Sequence, residues 1–67
     1  MIEDDNKVKS IIIYNIALQL EKIGKFKEAL KEADSAIRYA SLCRNKGIID
    51  DSRNLKIGIM KNITVNN

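Results

Sequence analysis

Ile11, Tyr14, Asn15 and Leu18 are the residues whose types and spacing suggest recognition chemistry: apolar side chains at i, i+3 and i+7, with an amide beside the tyrosine. On a helix, at about 100° per residue, they share one face that offers apolar area and amide hydrogen bonds to a helix or an extended peptide. Catalysis has much less to stand on. The chain has no His, no Gly-rich phosphate loop, no Ser or Cys with a base beside it and no metal-ligand spacing. Asp50, Asp51 and Ser52 are adjacent, but capping and the helix dipole account for acids at a helix start, and no further ligands accompany them. These absences describe a non-enzymatic chain without cofactor or metal.

The 67 residues are 45% hydrophobic and 31% charged. One unit of this size buries only about 60% of its unfolded surface. With no Pro and three Gly, and with Ala, Leu, Lys and Glu as strong helix formers, the fold class is all-α. A net charge of +3 and a pI near 9.2 would permit nucleic-acid contact. Yet Lys and Arg alternate with Asp and Glu, and one Phe and two Tyr leave little for stacking, which argues for a solvated mixed-charge surface and no nucleic-acid partner. Cys43 has no second cysteine to pair with, as expected in a reducing compartment. "MIEDDNKVKS" is charged where a signal peptide would be apolar, and "IIIYNIAL" falls short of the roughly 20 residues of a membrane span. A cytoplasmic chain with no membrane contact is expected, in which Asn62-Ile63-Thr64 is a chance glycosylation match.

Three helices position these residues, over 7–23, 26–45 and 50–63, within one domain spanning 7–64 and flanked by flexible ends at 1–6 and 65–67. Gly24 suits the left-handed position after the first helix, and Gly47 the stop of the second, with Arg44 and Lys46 near its negative end. Asp50 or Asp51 caps the third. Its residues Leu55, Ile57 and Ile59 also alternate with period two, so a strand stays open, but no second strand is present to pair with it.

On helix two, Phe26, Leu30, Ala33, Ile37 and Ala40 fall on one face with Ala29 and Ala36 flanking them. On helix one, Ile13, Ile16, Ala17 and Leu20 make the matching stripe, and the short connection at Gly24 makes the two helices antiparallel neighbours. Alanines let the backbones approach closely. Phe26 fills the space near the turn. Asp34 with Arg38, and Lys31 with Asp34, are spaced as surface pairs worth a few tenths of a kcal/mol.

These residues resemble the tetratricopeptide repeat, a helix–turn–helix unit of about 34 residues. Over Ser10 to about Cys43, Asn15-Ile16-Ala17 falls where that family has Asn-Leu-Gly, Leu20 takes the large mid-helix position, and "GKFKEAL" is similar to its Gly-x-Tyr-x-Glu-Ala-Leu turn. Ala36 and Ile37 stand at its Ala-Leu pair. Ile13 replaces the usual Trp, Ala33 a larger aromatic, and Ser41 the Pro that often ends the unit, which fits a longer second helix. "RNLKIGIMKNI" is similar to the start of a second repeat, with Asn54-Leu55 standing 39 residues after Asn15-Ile16. Extended-helix variants, including the repeat domains of bacterial peptide-sensing regulators, have such spacing. The third helix is then a half-repeat that covers the hairpin.

Ile11, Tyr14 and Leu18 lie opposite the packing stripe, where an isolated hairpin would leave them wet. With Asn15, Glu21 and Lys22 beside them, they resemble the family's concave, partner-binding positions. Three uses remain open: packing under helix three, a homodimer interface, or a groove for a protein or peptide. The resemblance implies the groove. The alternative is a structural protein that dimerises, by this face or by exchanging helix three with Gly47, Ile48 and Ile49 as hinge.

Overall fold

The computed structural model describes residues 5–66, with the backbone alone at 64–66. Residues 1–4 of the expected flexible start, and Asn67, therefore lie outside the described residues. Among those described, the order is α1 (Asp5–Lys22), α2 (Phe26–Leu42) and α3 (Lys46–Asn66). The fold is all-α, an antiparallel hairpin of α1 and α2 with a third helix laid on α2. Asp5 and Asn6, expected to be flexible, belong to α1, where the Asp5 carboxylate faces the positive end of the helix dipole, and Val65 and Asn66 of the expected flexible tail belong to α3. Leu55, Ile57 and Ile59 are helical, which settles the strand alternative.

Both connections use the same turn. After α1, Gly24 N–H donates to the Glu21 carbonyl (3.0 Å) and Lys25 N–H to the Leu20 carbonyl (2.9 Å), with Gly24 at φ 84°. After α2, Arg44 N–H donates to the Ser41 carbonyl (3.2 Å) and Asn45 N–H to the Ala40 carbonyl (2.8 Å), with Arg44 at φ 58°. This paired pattern is a Schellman close, in which a left-handed residue lets two terminal carbonyls find donors. The second turn corrects the expected boundaries. α2 ends at Leu42, short of Asn45, and is not extended; α3 starts at Lys46, four residues before Asp50. Asn45 is the cap, accepting the Ile48 N–H on its Oδ1 at 3.4 Å. Gly47 therefore sits in the first turn of α3 and is not the stop of α2, and Asp50 and Asp51 lie inside the helix.

The middle of the molecule is made of alanine. Ala29, Ala33, Ala36 and Ala40 are all fully buried, a line of small residues along α2 that receives α1 on one side and α3 on the other. Facing them are the fully buried Ser10 and Ala17 of α1 and Ser52 and Ile59 of α3. Ser52 and Ile59 stand seven residues apart on α3 as Ser10 and Ala17 do on α1, a correspondence three residues off that of Asn15 with Asn54. Around the cluster of Ala17, Ala29, Ala33, Leu55 and Ile59 pack Tyr14, Leu18, Leu20, Phe26, Leu30 and Ile63. The expected α2 face is present but turned, with the alanines at its centre and Phe26, Leu30 and Ile37 half-buried at its sides. Small residues at the contact give thin helix spacing and little buried aliphatic area. The body is elongated, 45 × 17 × 13 Å.

Candidate functional site

The expected partner face of α1 is divided between half-buried and exposed residues. Tyr14 and Leu18 pack against the core cluster. Glu21, half-buried, reaches toward Gly58 of α3. This is the packing-under-helix-three outcome for those residues. Ile11, Asn15 and Lys22 remain exposed. Burial raises the Tyr14 phenol above its usual pKa of 10.0, and the carboxylates of Asp51 and Glu21 push it the same way.

The inner stripe also differs from the expected one. Ala17 is fully buried and Leu20 packs on the core, but Ile13 is only half-buried and Ile16 is 44% exposed. α1 is rotated so that its smallest residues, Ser10 and Ala17, meet the α2 alanines. Ser10 Oγ donates to the Lys7 carbonyl at 2.7 Å and so enters the contact without an unpaired hydroxyl. Ser52, its counterpart on α3, is fully buried with no partner for Oγ among the described residues, a cost accepted for close helix approach.

What the rotation turns outward is aliphatic. Val8 (51% exposed), Ile12 (52%), Ile16 (44%) and Ile23 (65%) run along the side of α1 opposite Ser10 and Ala17. Ile12, Asn15, Ile16, Gln19, Leu20 and Ile23 line a shallow groove of about 560 Å³ on that side. Over the 15 residue steps from Val8 to Ile23, at 1.5 Å each, the stripe is about 22 Å long, and none of its side chains is charged. Of these residues only Asn15 was among the expected partner contacts. Val8, Ile12, Gln19 and Ile23 were missed, although the position of the small residues signals them, since whatever lies opposite Ser10 and Ala17 must face outward.

A second, smaller groove of about 300 Å³ lies on α3 between Arg53, Lys56, Ile57 and Met60. Lys56 Nζ reaches Asp34 Oδ1 on α2 at 2.5 Å, so Asp34 pairs across the helices and not with Lys31 or Arg38 as its spacing suggested. Lys9 Nζ stands 5.7 Å from the Tyr39 ring centre, a contact between cation and ring that ties α1 to α2. Cys43 Sγ donates to the Ala40 carbonyl at 3.4 Å. Among the described residues no three His, Cys, Asp or Glu side chains gather as metal ligands, and no helix is long and apolar enough to cross a membrane. Compared with known proteins, the chain matches no family model, no curated protein and no solved structure.

Proposed function

We propose that this chain is a non-catalytic helical interaction module of tetratricopeptide-like build, which binds a protein or peptide partner through the outer side of α1. One observation carries the proposal: α1 and α2 bury alanine while α1 exposes its isoleucines. Five fully buried alanines, Ala17 with the four on α2, line the hairpin contact, while Val8, Ile12, Ile16 and Ile23 stand in solvent along one line. Isolated exposed aliphatics are ordinary, but a continuous uncharged stripe is the mark of a contact surface. Each aliphatic side chain covered there contributes up to about 1.5–3 kcal/mol of transfer free energy, more than a buried alanine supplies. Asn15 and Gln19 add amide donors and acceptors that fix orientation. A regulatory use, as in the bacterial peptide sensors, rests on the resemblance of the α1–α2 hairpin.

Site-specific photo-cross-linking in cells tests this. A photoreactive residue at Ile16 should give cross-linked products, whereas one at the exposed Lys31 on α2 should give none. Equal products from both positions, or none from Ile16, would overturn the proposal.

A further inference from the structure

We infer that the partner on the outer face of α1 is the same face of a second copy, the two α1 helices packing antiparallel about a two-fold axis beside Asn15 and Ile16. The inference rests on the interaction reading above and names its occupant.

The first argument is the pattern of the stripe. An isologous contact must be self-complementary, residue i meeting j while j meets i. Val8, Ile12, Asn15 with Ile16, Gln19 and Ile23 are spaced almost evenly about the Asn15–Ile16 step. Antiparallel pairing therefore sets Val8 against the partner's Ile23 and Ile12 against the partner's Gln19. At the axis Asn15 meets the partner's Asn15, and an amide, with both donor and acceptor, satisfies another amide. Aliphatic ends meet aliphatic ends.

Charge supplies the second argument and sets the direction. The stripe is neutral, but its ends are not: Asp5 lies in the first turn of α1 and Lys22 in the last, followed by the exposed Lys25. Antiparallel pairing brings each acidic end beside a basic one and opposes the helix dipoles. Parallel pairing sets like against like. Two lysines share the acidic end: Lys7, exposed, lies about 130° around the helix from the stripe at about 100° per residue, and Lys9 is drawn onto Tyr39. The groove on α3 is a poorer match, because Arg53 flanks its two exposed aliphatics, Ile57 and Met60, and would meet Lys22 and Lys25, while Lys56 is engaged by Asp34.

Cysteine cross-linking in the full chain, in a Cys43→Ser background, tests both occupant and direction. Under mild oxidation Asn15→Cys alone should give a covalent dimer and Val8→Cys alone should not, while a mixture of Val8→Cys and Ile23→Cys chains should give the mixed dimer. Light scattering over a dilution series should show a dimer, and Ile16→Glu, which buries two charges per dimer, should weaken it by about a hundredfold or more with helicity by circular dichroism retained. A dimer linked through Val8→Cys alone overturns the antiparallel direction. Efficient linkage of Ile12→Cys chains to Ile57→Cys chains overturns the symmetric contact in favour of a head-to-tail one. A monomer at every concentration, unlinked by Asn15→Cys, overturns the second copy; heterologous products from a photoreactive residue at Ile16 would then leave the interaction face itself standing, and their absence would remove both.

Discussion

Glu21 of α1 and Gly58 of α3 meet edge to edge: the Glu21 carboxylate oxygen lies 3.8 Å from where a Cβ on Gly58 would stand. α1 and α3 otherwise touch little, each packing chiefly on α2. Tyr14, Glu21 and Asp51 gather along this narrow seam. α3 thus covers Tyr14 and Leu18 while leaving the far side of α1 open.

Gly58→Ala should stabilise the protein. A contact at 3.8 Å is ordinary van der Waals distance, so the new methyl fits without displacing Glu21, and Ala replaces Gly inside a helix. The gain should be about 0.5–1 kcal/mol, or about 3–8 °C in Tm for a domain of this size. Thermal denaturation followed by circular dichroism measures it. A lowered Tm would mean that α1 and α3 approach more closely than this seam allows.

Ala33→Leu should act in the opposite sense. Ala33 is fully buried in the cluster with Ala17, Ala29, Leu55 and Ile59, and the added atoms must push α1 or α3 off the alanine line. Overpacking of this kind costs about 1–3 kcal/mol. Urea denaturation should show the lower midpoint, and an unchanged midpoint would contradict close packing on α2.

The hairpin was legible in the sequence because Gly24 ends α1 and alanines recur along α2 at helical spacing. The direction of α1 was not. Ile11, Ile12, Ile13 and Ile16 spread apolar character around nearly the whole helix, so hydrophobic periodicity alone does not select a face. Size selects it on this side of the stripe: the α2 alanines accept Ser10 and Ala17 of α1, while isoleucine at those two positions would hold the α1 and α2 backbones apart. The same logic applies to Ser52 on α3. The second turn was hidden because Arg44 takes a conformation usually reserved for glycine, which drew the expected stop to Gly47.

Alkaline pH should weaken the fold through Tyr14. Its phenol is raised above 10.0 in the folded chain, first by burial and then by Asp51 and Glu21. Below pH 10.0 both folded and unfolded chains hold the proton and Tyr14 adds no pH dependence. Above it the unfolded chain releases the proton first, so the unfolded state binds fewer protons and stability falls as pH rises through the folded value. Tyr14→Phe removes this part of the loss. Denaturant midpoints measured at pH values on both sides of 10.0 should fall less steeply for Tyr14→Phe than for the parent chain, and parallel curves would count against the seam at Tyr14.

Arg44 and Gly24 offer a reciprocal experiment, because both occupy the left-handed position of the same turn. A Cβ at Gly24 meets nothing within 4 Å, so Gly24→Ala is opposed by backbone conformation alone and should cost about 1 kcal/mol. Arg44→Gly relieves the same strain at the second turn. Glycine also loses more freedom on folding, which offsets part of the relief, and a net gain of about 0.5 kcal/mol is expected. Chemical denaturation of the two variants should therefore shift the midpoint in opposite directions. If Arg44→Gly destabilises as Gly24→Ala does, the arginine side chain holds the turn by contacts that outweigh its backbone strain, and the two turns are not energetically equivalent.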